Sequence, residues 1–371
     1  MLYLAILLRF AGADVTVLEA KGKLAGCALS NRMEDGTELA MGMMRFGRGQ
    51  ATWGQIIAEL GFDLTHKFPN PGVVTTLVAY ESTREIWNPN SDVPKLLRPV
   101  LNHWNDFLNN GFGDLKGWHE IRKSLGEKSY KKKETQLWYD TFRGKSFGEL
   151  VQTVFESKWS KTDFRIFDML GIGTGGFGAF NPASIFLIMR VIVNGFEDCQ
   201  FYITKNEDSR DRFVSPQEVV QGLGKKAEET GVEIKLNQTA TRVHEPTNEK
   251  IMVSVRDGNV YKSDRIIVGT TFPAARKIHG LSNFIDRSVF EAMKTGSDGR
   301  SGKLFAIIDV STIEEIKKDD FPLTLISDKK IQQVYVLPAK SQNKRAVLMW
   351  YYHINTARLL RSTLGIRSAV S

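Results

Sequence analysis

The feature that most constrains the fold is an apolar segment near the start of the chain that ends in a carboxylate. Residues 2–11 are apolar apart from Arg9 and are closed by Gly12, and residues 15–18 then run directly into Glu19. This pattern predicts a helix, a tight turn and a buried parallel strand that ends in an acid. In a dinucleotide-binding βαβ unit such an acid accepts hydrogen bonds from a ribose, and a glycine loop precedes the first helix. The sequence lacks that loop, so we expect half of a cofactor site.

The composition is that of a globular protein. The 371 residues are 42% hydrophobic and 25% charged, which is enough for one large core or two ordinary ones. The formal charge of +8 would suit a protein that binds nucleic acid. The basic residues are scattered, however, and residues 131–133 are the densest run. No binding motif accompanies that run, so we expect no nucleic-acid partner. The positive field would instead favour an anionic cofactor or substrate.

Cysteine and histidine usage indicates neither a disulfide scaffold nor a metal site. Cys27 and Cys199 are the only cysteines, and the six histidines are dispersed without ligand spacing. We therefore expect no metal and a reducing, cytoplasmic location. The apolar start lacks the basic flank of a signal peptide, and no segment is apolar for long enough to span a bilayer, so no membrane partner is expected.

The order of elements predicts an α/β fold. Helical spacing is found at 52–60, throughout 95–170 and after 184, and Ser215-Pro216 begins a capped helix that runs to Gly231. Strand patterns occur on both sides of this helical material, and two of them flank the hairpin signal Asp257-Gly258. The predicted strands are 232–236, 251–255, 260–261, 264–270, 304–308, 333–337 and 346–352.

Four places could carry chemistry, and each has a purely structural alternative. Glu19 could hold a ribose or be a surface acid that ends a strand. Arg45, set among small and apolar residues, could bind a carboxylate through its planar fork or form a structural salt bridge. The glycine-dense residues 171–178 are a weak phosphate loop and more typical of a tight turn that lines a pocket. Lys303 could be catalytic if it is desolvated, or it could be an ordinary solvated lysine.

Taken together, five segments resemble the flavin-dependent amine oxidases, in the same order along the chain. These segments are residues 15–21, 43–46, 68–74, 173–182 and 301–305. The Phe-Pro-x-Pro-Gly and Gly-Thr-Gly-Gly-Phe-Gly sequences within them point to the bacterial monooxygenase branch that acts on tryptophan. The resemblance implies an FAD-binding Rossmann-like domain (1–50 and 208–285, incomplete) interleaved with an α+β substrate domain (51–207 and 286–371).

The resemblance also implies roles for individual residues. Glu19 would hold the adenosine ribose of FAD, and Val243 would contact the adenine side through its backbone. The full set of implied cofactor residues is Leu18, Glu19, Ala20, Lys21, Gly26, Met44, Arg45, Val243 and Thr270. Arg45 would also clamp the carboxylate of the amino acid, with Phe177 and Phe180 beside the substrate. Lys303, the implied catalytic residue, would hold a water near flavin N5.

The implied reaction is the oxidation of L-tryptophan, or a similar amino acid, by O2. Hydride leaves Cα for the flavin, and the monooxygenase outcome yields indole-3-acetamide and CO2, the first step of an auxin route. The expected partners are therefore a small-molecule substrate and O2, while a homodimer is left open. An L-amino acid oxidase that releases the imine is the alternative within the family.

Several departures from the family pattern lead to a further expectation. Residues 25–27 read Ala-Gly-Cys where the family has Gly-Gly-Arg, so a methyl would crowd the phosphate and a charged contact would be lost. The family's closing segment is also missing after 349–352. We expect a degenerate or truncated member that binds FAD poorly or not at all. A non-catalytic remnant, and a basic interaction protein supported only by charge, stay open.

Overall fold

A computed structural model describes most of the 371-residue chain. The residues described are 1–47, 51–124, 128–171, 183–195, 200–207, 210–247, 249–295, 303–309, 321–329, 332–338 and 344–351. The chain divides into two units, which we call unit 1 (Met1–Ser30 and Ser215–Asp298) and unit 2 (Asn31–Val214 and Gly299–Ser371). The chain thus passes between units three times. The sequence predicted the same number of passages at residues 50, 207 and 285, and the assignment of FAD to one unit and substrate to the other stays a prediction.

The helices are found in both units. They are α1 (Leu2–Phe10), α2 (Ala51–Glu59), α3 (Arg98–Asn110), α4 (Trp118–Lys123), α5 (Lys128–Phe142), α6 (Phe147–Phe155), α7 (Lys161–Leu170), α8 (Ile185–Val193), α9 (Pro216–Glu229), α10 (Phe272–Ala275) and α11 (Arg287–Thr295). In the part of the chain that the structure describes, no helix has the length and apolarity needed to cross a bilayer.

The strands form one large sheet and several small ones. They are β1 (Thr16–Leu18), β2 (Ser30–Arg32), β3 (Glu38–Ala40), β4 (Phe46–Gly47), β5 (Thr76–Tyr80), β6 (Thr83–Trp87), β7 (Gln200–Phe201), β8 (Thr204–Glu207), β9 (Arg210–Phe213), β10 (Glu233–Lys235), β11 (Ala240–Thr247), β12 (Lys250–Val255), β13 (Val260–Ser263), β14 (Lys303–Asp309), β15 (Thr324–Ser327), β16 (Gln333–Pro338) and β17 (Lys344–Tyr351).

Unit 1 contains the predicted helix–strand pattern. The helix α1 leads into β1, which pairs in parallel with β10 from Thr16↔Glu233 to Leu18↔Lys235. The connecting α9 begins as the sequence predicts, because the Ser215 side chain accepts a hydrogen bond from the Glu218 N–H and proline occupies the first turn. The predicted hairpin is also confirmed as β12–β13, which joins β11 in an antiparallel sheet.

One predicted strand of unit 1 is wrong. Residues 264–270 form no strand, and the side chains of Ile267 and Val268 are 53% and 40% exposed. A buried parallel strand needs neighbours that supply hydrogen bonds and cover both of its faces. Among the described residues, β1 and β10 form a sheet of two strands only, so residues 264–270 have no strand beside them. Apolarity alone was therefore a poor guide to secondary structure here.

Unit 2 is built on a six-stranded sheet and a helical layer. The strand order is β14-β17-β16-β15-β5-β6, with β15 and β5 parallel and all other neighbours antiparallel. The predicted strands 304–308, 333–337 and 346–351 are confirmed, and residue 352 lies outside the described residues. The sequence did not predict β5, β6 or β15. The sheet places Lys303 at the start of β14 and Tyr335 near the middle of β16.

The helical layer of unit 2 packs around aromatic side chains. Trp104 and Phe107 from α3 contact Trp118 from α4, and Phe107 contacts Trp138 from α5, with centroid separations of 5.3–6.0 Å. These rings are fully or almost fully buried, which accounts for the helical periodicity of aromatic residues in the sequence. The indole N–H of Trp138 donates to the Lys116 carbonyl at 3.0 Å, so its polar atom is satisfied within the core.

The turn after α3 provides a test of this packing. Gly111 ends α3 with φ +80° and ψ −150°, and a Cβ at this position would overlap the Leu115 carbonyl oxygen. We expect Gly111→Ala to lower the free energy of unfolding by about 3 kcal/mol, since it combines a positive φ with a backbone clash. Gly113 also has positive φ (+58°) but faces open space, so Gly113→Ala should cost only about 1 kcal/mol. Equal losses in urea titrations of the two variants would contradict this packing.

Candidate functional site

Arg45 lies in an aromatic frame inside unit 2. Its side chain is 5% exposed, and its Cζ lies 4.6 Å from the ring centroid of Phe68 and 6.0 Å from that of Tyr335. The Phe68 and Tyr335 rings meet edge to face at 5.0 Å, and Met44 packs in the same cluster. A guanidinium over aromatic faces is attracted by the negative charge of the ring faces, by about 2 kcal/mol when desolvated. The apolar surroundings predicted for Arg45 are therefore aromatic in the structure.

Lys303 lies beside this frame and is partly buried. Its Nζ donates hydrogen bonds to the Ala40 carbonyl at 2.9 Å and to the Gly42 carbonyl. Burial lowers the pKa of Lys303 from 10.5 to about 7, and the nearby positive charge of Arg45 contributes in the same direction. Of the two interpretations of Lys303 made from the sequence, the structure therefore matches the desolvated lysine. Near neutral pH this amine is present in both its charged and its neutral forms.

The backbone around Arg45 is fixed by short strands. The two carbonyl acceptors of Lys303 lie at the last residue of β3, Ala40, and two residues beyond it. Arg45 directly precedes β4, which pairs antiparallel with β7 through Phe46↔Phe201. Tyr202, which follows Phe201 in the sequence, packs against Phe68, and the two ring centroids lie 5.2 Å apart. Arg45 and the carbonyls that receive the Lys303 amine are thus held by one short stretch of chain.

The loop that carries Phe68 is attached to the large sheet. The hydroxyl of Thr324 on β15 donates to the Pro69 carbonyl, and the Gly72 N–H donates to the hydroxyl of Thr76 on β5 at 3.1 Å. Thr324 and Thr76 face each other in the parallel β15–β5 pair, and both are buried. The Phe-Pro-x-Pro-Gly segment noted in the sequence therefore presents Phe68 to Arg45 from a rigid base.

Tyr335, Tyr202 and Gln333 belong to this region, and sequence analysis missed all three. Tyr335 and Gln333 lie two residues apart on β16, so they point to the same face of the sheet. The alternation that predicted the strand does not say which of its faces meets a functional residue on another element. A polar residue at a core-facing position, such as Gln333, was the available signal.

In unit 1, the end of β1 is bonded to the chain that follows β10. The Glu19 N–H donates to the Lys235 carbonyl at 2.9 Å, and the Glu19 carbonyl accepts from the Gln238 N–H at 2.8 Å. The carboxylate Oε1 of Glu19 accepts from the Lys21 N–H at 2.9 Å, and none of the described hydrogen bonds involves Oε2. Glu19 is thus a strand-end acid, as predicted, with one oxygen available to a ligand hydroxyl.

Two further predicted cofactor residues, Leu18 and Val243, lie on elements that meet in one small core. Leu18 from β1 packs against the cluster that contains Val243 from β11 and Ala275 from α10. Thr270 is exposed and lies just before α10, and Ala20 and Lys21 are also exposed. The Val243 N–H donates to the His279 carbonyl at 2.9 Å, so that donor is already used within the protein. A surface cavity of about 420 Å³ lies beside Val243.

Gly26 is surrounded by space. It has φ +54°, and a Cβ built on it would meet nothing within 4 Å, so the backbone is open to a close approach at this point. Ala25 is buried and Cys27 is exposed. Ala25 is therefore packed within the protein, and the crowding of a phosphate by its methyl stays a prediction. The exposed Cys27 supplies no charge at the position where the family has arginine.

Two predicted substrate residues are not placed. Phe177 and Phe180 lie outside the described residues, as does most of the glycine-dense segment after Gly171. Gly171 itself ends α7 in the left-handed conformation with φ +59°. In the part of the chain that the structure describes, no group of three histidine, cysteine, aspartate or glutamate side chains could hold a metal ion.

A match at the level of the family agrees with these residues. They are the strand-end acid Glu19 in unit 1 and the buried Arg45 and Lys303 in unit 2. The sequence profile of flavin-containing amine oxidoreductases matches residues 2–351. The chain belongs to the flavin-containing amine oxidoreductase family. The resemblance identified from short sequence segments is thereby confirmed, and a flavin, FAD, is the cofactor that the family implies.

Two curated relatives of this chain carry the same name. The chain is 28% identical over 368 residues to a tryptophan 2-monooxygenase of Allorhizobium ampelinum, with 93% of this chain and 49% of the relative covered. It is also 28% identical to a tryptophan 2-monooxygenase of Pantoea agglomerans pv. gypsophilae, with 93% of this chain and 64% of the relative covered. The chain therefore spans about half of the length of the first relative and less than two thirds of the second.

Solved structures of amine oxidases confirm the α/β amine oxidase fold. A redesigned putrescine oxidase aligns with a TM-score of 0.73 at 15% identity, covering 97% of this chain and 74% of that chain. Wild-type putrescine oxidase bound to putrescine aligns with a TM-score of 0.70 at 14% identity, with the same coverage. At these identities the likeness concerns the fold.

The lowered pKa of Lys303 makes the stability of this chain depend on pH. Between the folded pKa of about 7 and the unfolded value of 10.5, the unfolded chain binds more protons at Lys303 than the folded chain. The free energy of unfolding should therefore rise as the pH increases from about 7 to about 10. Lys303→Met should remove this part of the rise, whereas Lys95→Met, at an exposed position, should retain it. Identical pH profiles for Lys303→Met and the unsubstituted chain, measured by urea unfolding, would contradict the assignment.

Proposed function

We propose that this chain oxidises an L-amino acid with FAD and O2, and that L-tryptophan is its substrate. The observation that carries the proposal is the buried Arg45 guanidinium, which lies on Phe68 beside the desolvated amine of Lys303. The names of the relatives support tryptophan and the monooxygenase outcome, in which indole-3-acetamide and CO2 are formed. That outcome would place the chain in the cytoplasm, in auxin biosynthesis.

Arg45 has the chemistry to select an amino acid over an amine. Its planar guanidinium can donate two parallel hydrogen bonds to one carboxylate, and such charged pairs are strongest where water is excluded. The proximity of Arg45 and Lys303 adds to this preference, because a bound carboxylate would offset the repulsion that lowers the pKa of Lys303. A substrate without a carboxylate would gain neither interaction.

The residues of unit 1 fit the nucleotide end of FAD. Glu19 ends β1 with one carboxylate oxygen in a turn and the other available to ribose hydroxyls. Gly26 has an open approach in front of its backbone, and Leu18, Val243 and the helix after Thr270 share one core. When bound, the flavin supplies the redox chemistry, since it accepts hydride from the substrate and returns the electrons to O2.

In unit 2, Lys303 would supply a positive charge and a group that can give up or accept a proton. With a pKa of about 7, its amine can hold a water or exchange a proton without a large energetic cost. Two backbone carbonyls fix the position of Nζ, so a water bound to the amine would be oriented. We propose this orienting role for Lys303, in agreement with its assignment from the family pattern.

A second candidate function follows from two observations in unit 1. Residues 264–270 form no strand, and the exposed Cys27 replaces the cationic residue of the family pattern. Both features would weaken the hold on the FAD nucleotide. The second candidate is therefore a chain that keeps the fold and the carboxylate site but retains little FAD.

The experiment that tests the proposal is the visible spectrum of the purified chain with added FAD. We expect flavin absorption to remain after gel filtration and L-tryptophan to bleach it anaerobically. Arg45→Ala should weaken the apparent affinity for tryptophan by about 100-fold, because a buried charged pair contributes on the order of 3 kcal/mol. Arg84→Ala, which removes an exposed arginine of the same unit, should leave the response unchanged.

The other outcomes of this experiment separate the candidates. A chain that retains no flavin, even with FAD added, would exclude the enzyme and leave the second candidate. Retained flavin that tryptophan bleaches equally in Arg45→Ala would remove Arg45 from the proposed role.

A further inference from the structure

Gln333 is a fully hydrogen-bonded amide in the interior of unit 2. Its side chain is 1% exposed and lies on β16. Its Nε2 donates to the Leu170 carbonyl at 3.0 Å and to the Met169 carbonyl at 3.3 Å, while its Oε1 accepts from the Tyr335 hydroxyl at 2.7 Å. Both N–H groups and the oxygen of this amide are therefore used, which leaves Gln333 a single orientation.

The two carbonyls that Gln333 contacts belong to the last turn of α7. The final carbonyls of a helix have no partner within the helix, and in the interior they need one from elsewhere. Gln333 supplies it for Met169 and Leu170, directly before the left-handed Gly171 that ends α7. This end of the helix is therefore fixed to β16 by hydrogen bonds.

The other end of this connection reaches the arginine. Tyr335 is fully buried, its ring meets Phe68 edge to face, and the ring centroid lies 6.0 Å from the Arg45 Cζ. The hydroxyl of Tyr335 is held by Gln333 at 2.7 Å. A continuous set of contacts thus runs from the end of α7 through Gln333 and Tyr335 to the frame around the guanidinium.

Packing alone does not require the Tyr335 hydroxyl, because a phenylalanine at 335 would fill a similar volume without that polar atom. Gln333 also serves the end of α7, since a leucine at 333 would leave the Met169 and Leu170 carbonyls without this partner. Buried polar networks that are fully satisfied give a region one defined arrangement. The group that gains from such definition here is Arg45, since bidentate binding of a carboxylate depends on the orientation of the guanidinium plane.

We propose that Gln333 and Tyr335 are positioning residues that fix the Arg45 guanidinium for the carboxylate of the substrate. This inference rests on the proposed function, in which Arg45 binds that carboxylate. Neither residue touches the reacting atoms. Gln333 holds the Tyr335 hydroxyl, and the Tyr335 ring limits the positions open to Phe68 and to the guanidinium.

The test compares two ligands that differ in one group. Indole-3-acetate carries a carboxylate, and indole-3-acetamide is its neutral counterpart of similar shape. Binding of each to the full chain with added FAD is measured by calorimetry, which does not depend on turnover. The variants are Tyr335→Phe and Gln333→Leu. The matched control is Tyr80→Phe, because Tyr80 is also a buried tyrosine of unit 2, and its hydroxyl has no hydrogen-bond partner in the described part of the chain.

The expected result is a loss that depends on the carboxylate. Tyr335→Phe should weaken indole-3-acetate about fivefold and Gln333→Leu at least as much, while indole-3-acetamide changes by less than about twofold. Tyr80→Phe should change neither ligand. If Gln333→Leu does not fold, Tyr335→Phe decides alone, since it removes a single oxygen atom.

Four results would overturn the inference. Equally weakened binding of both ligands would show that Gln333 and Tyr335 only stabilise the fold. Unchanged binding of both ligands would show that the two residues do not position Arg45 at all. If Arg45→Ala abolishes the preference for indole-3-acetate but Tyr335→Phe and Gln333→Leu do not, the proposed function stands and this inference fails. If the unsubstituted chain shows no preference for indole-3-acetate, or Arg45→Ala retains it, the proposed function fails and this inference fails with it.

Discussion

The contact between the Arg45 guanidinium and the face of Phe68 is the interaction on which the candidate site in unit 2 depends. Removing a cation from water costs several kcal/mol, and a ring face returns about 2 kcal/mol of that when it is desolvated. The position of Phe68 must therefore be fixed. Its loop is bonded to β15 and β5 by two buried threonines, and its ring is packed between Tyr202 and Tyr335.

The charge of Arg45 also sets the chemistry of its neighbour. Burial and the guanidinium together lower the pKa of Lys303 to about 7, while the carbonyls of Ala40 and Gly42 hold its amine in place. Two basic groups at close range make this part of the unit selective for an anion. A carboxylate that enters would be bound by Arg45 and would move Lys303 towards its charged form. In the proposed function, the pair would tie substrate recognition to proton handling.

Local signals in the sequence predicted much of the fold. The cap at Ser215, the hairpin at Asp257-Gly258 and the periodicity of the helical layer each depend on residues close in sequence, and the structure confirms all three. The strand at 264–270 failed because a strand needs neighbours that its own residues do not specify. β5, β6 and β15 were missed, although β15 is the element that holds the Phe68 loop.

The candidate site was likewise predicted only where the signal was local in the sequence. Arg45 and Lys303 were identified because a charge within an apolar segment is visible in the sequence. Their proximity, and the burial that lowers the pKa of Lys303, depend on long-range contacts such as the hydrogen bond from Lys303 to the Ala40 carbonyl. Gln333 and Tyr335 were missed because strand alternation does not show what the strand faces. Whether Glu19, Gly26 and Val243 hold FAD stays a prediction.

The measurement that tests the account most directly is a crystal structure of the chain with FAD and L-tryptophan. The account predicts that both oxygens of the tryptophan carboxylate lie within about 3 Å of the Arg45 guanidinium nitrogens, as in a bidentate pair. It also predicts that the Phe68 ring keeps its place against the guanidinium. A tryptophan carboxylate bound to another cation, with Arg45 still enclosed by its aromatic frame and out of reach, would contradict it.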